Sequence, residues 1–190
     1  MKKLIAIAAV ALCASAFAEL KIGTVDMMTL VRNHKNYDTN KKLLQDTERD
    51  YQRKLDAMKT DIDAIQDEGK KIAEQGKNPM LAQSQKDKIE KDLIEIQNRY
   101  IAAQQKLRSE AMESQRQLQD LETRLLKIAT DEIREVVNKF AEKNNYDLIV
   151  ESTVTAFAKK PLNVTDDLLK EMGVDPKNAK GREKDKDEGK

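Results

Sequence analysis

The sequence predicts a mainly α-helical protein in which a long antiparallel helical hairpin, a coiled-coil arm, stands on a small body that contains β-strands. Three observations lead to this fold class: two long segments with heptad-spaced apolar residues, one Gly- and Pro-containing break between them, and short β-branched segments near both ends. Composition agrees, because 36% of the residues are charged and only 4% are aromatic. Such a chain is poor material for one globular core and typical of long solvated helices.

The first long helix is predicted to run from about Thr39 to Gln75. Apolar residues recur there every seven positions, and others follow four residues later, which is the spacing of a coiled-coil seam. The predicted seam consists of Leu44, Tyr51, Leu55, Met58, Ile62, Ile65 and Ile72, with Gly69 at one seam position. Gly76 suits a helix end and Pro79 the first turn of the next helix, so the tip of the arm is expected near residues 76–80.

The second long helix is predicted to run from about Pro79 to Lys143. Its seam consists of Ile89, Leu93, Ile96, Tyr100, Ala103, Leu107, Ala111, Ser114, Leu118, Leu121, Leu125 and Ile128. Two successive four-residue steps meet at Leu107 and predict a stutter, which locally unwinds the supercoil. At a rise of 1.5 Å per residue the two helices measure roughly 55 Å and 95 Å, so the second continues beyond the first and into the body.

Five segments follow from these elements. Residues 1–18 are predicted to be a signal peptide, residues 19–38 the N-terminal part of the body, and residues 39–117 the arm. Residues 118–173 return to the body as the base of the second helix, strands and a C-terminal helix. Residues 174–190 are dominated by charged residues and Gly and are predicted to be a disordered tail.

The body elements are short. Strands are predicted at Lys21–Val25, Tyr146–Glu151 and Ala156–Lys159, and short helices are predicted after the caps Asp26 and Thr165. Isolated strands do not form a stable sheet, so they must pair across the chain or between chains, which favours an oligomer. The candidate oligomerisation residues are Ile22, Val25, Leu148, Val150 and Phe157.

The first residues have the pattern of a secretory signal peptide. Lys2 and Lys3 precede an apolar run from residue 4 to residue 12, and Ala16-Phe17-Ala18 supplies the small-x-small cleavage pattern. A cut after Ala18 would remove Lys2, Lys3 and the only cysteine, Cys13, and would leave 33 basic against 34 acidic side chains. An export route is therefore predicted, and a near-neutral mature chain argues against nucleic acid as a partner.

No catalytic or cofactor-binding arrangement is predicted. His34 is the only histidine, and a single histidine at a helix end is more often a surface residue than a metal ligand or a catalytic base. Gly69 and Gly76 lack the Lys-Ser/Thr that a phosphate-binding loop requires. The sequence therefore favours a protein that binds macromolecules over an enzyme, with no metal or cofactor.

Two sets of arm residues are candidates for binding. Seam residues can glue the two helices together or offer soft apolar surface to a partner, and the partner-contact candidates are Met58, Ile62, Ile65, Ile72, Met80, Leu81 and Ile89. The tip region has six lysines against three carboxylates: Lys70, Lys71, Lys77, Lys86, Lys88 and Lys91. Such a tip could touch anionic headgroups or acidic segments, or could simply be a solvated hairpin end.

The segments Leu20–Met27, Tyr146–Glu151 and Val164–Leu169, placed around a long charged hairpin, resemble the Skp (OmpH-like) family of periplasmic chaperones. The resemblance extends to about Met172. It implies a homotrimer with an intersubunit β-barrel and three arms around a cavity, which holds unfolded outer-membrane β-barrel proteins without ATP. Some relatives are associated with lipopolysaccharide, and relatives tend to be more basic than this chain.

A structural coiled-coil spacer or adaptor of the cell envelope, with one fixed folded partner, is the alternative interpretation. A long seam-bearing hairpin serves either role, because the heptad pattern describes packing between helices and not the partner. Binding of unfolded chains would favour the chaperone, and tight binding of a single folded protein would favour the adaptor.

Overall fold

The structure is a computed structural model that describes residues 20–181, so the predicted signal peptide lies outside the described residues. In chain order its strands and α-helices are β1 Ile22–Val25, α1 Met27–Arg32, α2 Tyr37–Gly76, α3 Gln83–Lys143, β2 Leu148–Glu151 and α4 Thr165–Glu171. The predicted mainly α fold, with a long helical hairpin and a small β-containing part, is confirmed. None of the described helices combines the length and the apolar character needed to cross a bilayer.

The described residues divide into two compact units. One unit contains the residues up to Tyr37 and those from Lys127 onward, and it is called the body; the other, Asp38–Leu126, is called the arm. On α3 the boundary between the units therefore lies at residues 126–127, further along the helix than the predicted 117–118.

The arm is an antiparallel pair of helices. The Tyr51 hydroxyl of α2 donates a hydrogen bond to Gln117 Oε1 of α3 at 2.7 Å. Nearer the tip, Arg99 forms an ion pair with Glu68 at 3.1 Å. Higher residue numbers on α2 thus face lower numbers on α3, as the short connection requires.

The tip differs from its prediction, because α3 begins at Gln83 and not at Pro79. Asn78 Oδ1 accepts a hydrogen bond from the Met80 backbone N–H at 3.0 Å, and this local turn competes with helix. The side chain of Gln85 then reaches back to accept from the Ala82 N–H at 3.1 Å. This bond satisfies a backbone donor at the helix start, in the manner of a Gln at the third position of a capping box.

The heptad seam is confirmed by burial along both arm helices. Ile62, Ile96 and Ser114 are buried, and the other predicted seam positions of the arm are half-buried, including those that follow the stutter. Ile128, by contrast, is 48% exposed, and Ala129 is buried in its place. The seam prediction is wrong at that residue because it extends the coiled-coil spacing into the body, where a helix on a broader core follows its own 3.6-residue period.

The body has one apolar core to which both ends of the described chain contribute. Its buried members are Val25, Leu30, Val31, Ile133, Phe140, Val164, Leu168 and Leu169. Asp26 accepts a hydrogen bond from the Thr29 N–H at 2.9 Å and so caps α1, as predicted. The Asp26 N–H donates to Thr165 Oγ1 at 2.9 Å, and this bond holds the starts of α1 and α4 together.

The sheet consists of β1 and β2, which pair in parallel within one chain. Gly23 has no Cβ, and one built there would lie 3.2 Å from the Tyr146 ring and 3.3 Å from Val164. Glycine therefore allows these two side chains to pack closely over β1. The Val164 N–H also donates to the Thr24 carbonyl at 2.9 Å on the other side of β1.

The predicted third strand, Ala156–Lys159, is not formed. Short 3₁₀ turns at Ser152–Val154 and Lys160–Leu162 flank this segment and carry it away from an extended ladder. In the described part of the body, β1 pairs with β2 and makes one further bridge, between Thr24 and Asn163. That edge is therefore used by the residues just before α4.

The predicted disordered tail begins too early at residue 174. Residues 176–178 form a 3₁₀ turn, and Val174 and Ala179 pack against the core. The Asn33 side chain pairs with the backbone of Lys180, donating to its carbonyl at 3.0 Å and accepting from its N–H at 2.9 Å. The charged composition of residues 174–190 did not reveal this anchor, which depends on the amide side chain of Asn33, just after α1. Residues 182–190 lie outside the described residues.

Candidate functional site

His34 is engaged in holding the body together. Its ring is buried, so the expectation of a surface residue is wrong. Nε2 lies 3.1 Å from Glu132 Oε2, and Nδ1 accepts from the Asn36 N–H at 3.4 Å. Since Nδ1 accepts, Nε2 carries the proton and donates to the carboxylate. Both ring nitrogens are thus used, which leaves neither for a metal or a substrate. No group of His, Cys, Asp and Glu side chains within residues 20–181 could hold a metal ion.

Glu132 interacts with Lys35 as well as with this histidine. The Lys35 ammonium lies 3.0 Å from Glu132 Oε2, on the same oxygen that faces His34. Hydrogen bonds from Lys35, first, and from His34 hold the pKa of Glu132 below its ordinary value of 4.5. The cluster ties the end of α1 to α3, and it is a structural contact and not an acid–base pair.

The predicted partner-contact residues divide into two groups by exposure. Five of them belong to the interhelical seam: Ile62 is buried, and Met58, Ile65, Ile72 and Ile89 are half-buried. Leu81, in the connection before α3, is also half-buried. Met80, at the tip, is 89% exposed. As the arm is folded in this structure, Met80 alone of the seven presents most of its surface to a partner.

Sequence reasoning missed a second group of apolar arm residues. Ile94, Ile101, Met112 and Leu126 all lie on α3 and are between 44% and 68% exposed. The clue was available in the sequence, because Ile94 and Met112 are eighteen residues apart, which is five full helical turns. These residues lie outside the heptad pattern, which contains only residues at seam spacing.

The basic tip is partly neutralised. Lys70 pairs with Asp67 at 2.9 Å, and Lys77 pairs with Glu74 at 2.5 Å. These i,i+3 pairs between exposed side chains are weak, but they lower the local positive potential. The ion pairs of the described arm do not include the other tip lysines, which are Lys71, Lys86, Lys88 and Lys91.

The predicted oligomerisation residues lie on different surfaces of the body. Ile22 and Leu148 are register partners in the sheet, and they are 40% and 50% exposed. Val150, two residues further along β2, shares their face and is half-buried. Val25 lies in the core of its own chain, and Phe157 is 80% exposed beside a shallow groove near Thr24.

The described residues thus expose apolar side chains along a two-helix arm and at one sheet face. A family model for outer membrane protein (OmpH-like) matches residues 21–172, which include β1, the arm, β2 and α4. The chain belongs to this OmpH-like family, which is of the periplasmic chaperone type. Comparison with individual curated proteins gave no match.

Proposed function

We propose that this protein is an ATP-independent periplasmic holdase, which binds unfolded outer-membrane β-barrel proteins in a cavity between helical arms and prevents their aggregation. The observation that carries the proposal is the extent of the family match, residues 21–172. It includes the strands and the core residues at both ends as well as the hairpin, so it does not rest on coiled-coil pattern alone.

The arm is suited to this role by its construction. It is a single pair of helices, so exposed side chains are accessible along its whole length. A holdase needs many weak contacts and not one deep pocket, because simultaneous weak contacts to one flexible chain multiply into a long residence time. Release then requires only a more favourable folded destination for the client, with no nucleotide.

The proposed assembly is a homotrimer with an intersubunit β-barrel. A two-stranded sheet is at best marginal in water, and Ile22 and Leu148 leave an apolar patch on its surface. Strands from other copies would cover this patch and pair with the outer edge of β2. Within the candidate set, Ile22, Leu148, Val150 and Phe157 are the residues placed to contribute, whereas Val25 would support the subunit's own core.

Light scattering tests the holdase and the trimer together. An unfolded outer-membrane β-barrel protein is diluted from urea, without ATP, in the presence of a stoichiometric amount of this protein. The proposal expects a trimer mass, a defined complex with the client, and suppressed aggregation. A monomeric mass would contradict the assembly, and unchanged aggregation would contradict the holdase. The adaptor alternative instead expects tight binding of one folded envelope protein and no effect on unfolded clients.

Export by a cleaved signal peptide is the proposed route to the periplasm. The cut after Ala18 follows from the small-x-small pattern, and Glu19 would be the first mature residue. Intact mass of the protein recovered from the periplasmic fraction tests both points. A retained N-terminus, or recovery only in the cytoplasmic fraction, would contradict this proposal.

Contact between the arm tip and an anionic surface, such as anionic lipid or lipopolysaccharide, is proposed as a weaker, salt-dependent partner interaction. Cosedimentation with anionic vesicles tests it. The test variant replaces three tip lysines by glutamine, Lys86, Lys88 and Lys91. The control variant makes the same change at exposed lysines elsewhere on the arm, Lys41, Lys42 and Lys106. Equal binding by both variants would exclude a special role for the tip.

A further inference from the structure

The arm carries a stripe of exposed apolar residues on one side of α3, here called the α3 stripe, which consists of Ile94, Ile101, Met112 and Leu126. At about 100° per residue, Ile94 and Met112 point in the same direction, and the other two lie within about 40° of it. The stripe runs for roughly 48 Å along the helix axis. It faces away from the seam, since Ile96, two residues after Ile94, is buried against α2.

The polar residues between the apolar ones are unusual for this chain. Within about 60° of the direction shared by Ile94 and Met112, from residue 94 to residue 126, there is no Asp, Glu or Lys, and the polar side chains are Gln, Asn, Ser, Thr and two Arg. More than a third of the whole chain is charged, so this face is depleted of charge. One of the two arginines, Arg116, is paired with Glu113 at 2.7 Å and Asp120 at 3.1 Å.

The partner helix does not have such a surface. Leu43 is the one large apolar residue of α2 among the strongly exposed residues of the described arm, at 46%, whereas four lie on α3. The other large apolar side chains of α2 belong to the seam, apart from Tyr37, which packs against the body core. The arm is therefore two-sided, with a charged side formed by α2 and a nearly uncharged, sparsely apolar side formed by α3.

The spacing of the stripe excludes several occupants. A second copy joined through a coiled coil would need about two apolar residues in every seven, whereas the stripe has four over more than thirty residues. A folded partner or a membrane surface would need a broad, contiguous apolar face, and this stripe is one residue wide with polar gaps. An extended, unfolded polypeptide is the occupant that separate apolar contacts and polar gaps can accommodate.

The geometry of an extended chain matches these gaps. Successive apolar residues of the stripe are about 10, 17 and 21 Å apart along the axis. A barrel strand that alternates apolar and polar residues presents an apolar side chain about every 7 Å when extended, so one is always close to each stripe residue. Between them, the Gln and Asn side chains can donate to and accept from the unpaired peptide groups of the client.

We infer that the α3 stripe is the surface of the arm that contacts unfolded client chains, in place of the seam residues that the sequence first suggested. The inference rests on the proposed holdase function. Because the stripe is nearly uncharged, the contact should be insensitive to salt, which also agrees with the near-neutral charge of the chain without residues 1–18. Client retention at about 0.05 M and about 0.5 M salt should therefore be similar.

Two triple variants of the full protein test the inference. The stripe variant contains Ile94→Gln, Ile101→Gln and Met112→Gln. The control variant contains Met28→Gln, Leu43→Gln and Ile128→Gln, at positions with similar exposure away from the stripe. The stripe variant should release an unfolded β-barrel client about tenfold faster than the wild type or more, because weak interactions with a single client chain act multiplicatively and three of them are weakened together. The control variant should resemble the wild type.

The outcomes separate this inference from the proposed function. If the wild type itself fails to suppress aggregation, the proposed function fails. If the wild type and the stripe variant retain the client equally, or if both variants lose it equally, the holdase stands and the stripe is not its contact surface. A stripe variant with an altered oligomeric mass would make this face an interface between copies and would overturn the inference. Helix content by circular dichroism confirms that each variant is folded.

A crosslinking experiment gives a second, independent measurement. A photoreactive residue is placed at Ile101 or at Leu43, which are 44% and 46% exposed. The inference expects several-fold more crosslinking to a bound client from position 101 than from position 43. Equal yields from the two positions would overturn it, whatever the behaviour of the glutamine variants.

Discussion

Replacing Ile96 with alanine should open the arm, whereas the same replacement at Ile94 should not. Ile96 is 7% exposed, and Ile94, two residues earlier on the same helix, is 53% exposed. A Cβ on Gly69 would lie 3.1 Å from Ile96 Cγ2, so the isoleucine fills the space that the glycine leaves in α2. Ile94 and Ile96 have the same side chain on the same helix. Comparing their alanine variants therefore separates the effect of seam packing from the effects of helix propensity and side-chain type.

The magnitude follows from this burial. Truncation of a buried isoleucine to alanine costs about 2–5 kcal/mol, and a two-helix arm can close partly around the gap, so about 2–3 kcal/mol is expected for Ile96→Ala. Ile94 is already half in water, and alanine has a better helix propensity by about 0.4 kcal/mol, so Ile94→Ala should be within about 0.5 kcal/mol of the wild type.

Hydrogen exchange of the arm amides is the measurement, because the arm can open locally while the body remains folded. A cost of about 2 kcal/mol corresponds to about 30-fold faster exchange near residues 62–72 and 89–103 in Ile96→Ala. Ile94→Ala should show nearly wild-type exchange. If Ile96→Ala exchanged like the wild type, or if Ile94→Ala exchanged equally fast, the seam assignment would be refuted.

Three further predictions concern single contacts. Ser114→Ala should stabilise the arm by about 1 kcal/mol, because the buried Ser114 hydroxyl has no hydrogen-bond partner among the described residues, and thermal unfolding measures this change. Asn33→Ala should cost about 1–2 kcal/mol through its two bonds to Lys180 and should speed amide exchange in residues 174–181. Since Lys35 above all lowers the pKa of Glu132, that carboxylate stabilises the fold above pH 4.5, and its contribution is lost as the pH falls through the lowered pKa. Glu132→Gln should therefore flatten the acid side of the stability curve.

Each of these predictions has a control. Ser109→Ala, at an exposed position of the same helix, should leave thermal stability nearly unchanged, and an equal gain there would point to helix propensity alone. Asn36→Ala should leave exchange in residues 174–181 as in the wild type. Glu135→Gln, at an exposed carboxylate one turn further on, should keep the wild-type dependence of stability on pH at acid pH. If this variant lost as much of that dependence as Glu132→Gln, the special role of Glu132 would be contradicted.

The seam was predictable because it depends on local order along each helix. Tyr51, Met58 and Ile65 are spaced so that they must share one face, whatever else the chain does. The burial of Ile62 and the half-burial of these residues agree with that spacing. The cap at Asp26 and the break near Gly76 were also local, and both were placed correctly. The predicted cap at Thr165 is wrong, because Thr165 is the first residue of α4 and Val164 precedes the helix.

The candidate site was less predictable, because exposure depends on what the partner helix covers. Ile94 and Ile96 are chemically identical in the sequence, yet α2 covers one and leaves the other in water. Seam membership led the sequence interpretation to select buried residues such as Ile62 as binding candidates. The uncovered face became visible only when both helices were placed, and Met80 was the one candidate with its surface free.

The sequence by itself determined that this chain forms two long helices with one break, with short strands at both ends, because helix periodicity and capping act over a few residues. Tertiary structure decided which isoleucines face water, that β1 pairs with β2 in parallel, and that Lys180 is anchored by Asn33. The strand pairing and the Lys180 anchor join residues more than a hundred positions apart in the sequence. Their geometry depends on packing around a shared core, and no local pattern in the sequence encodes it.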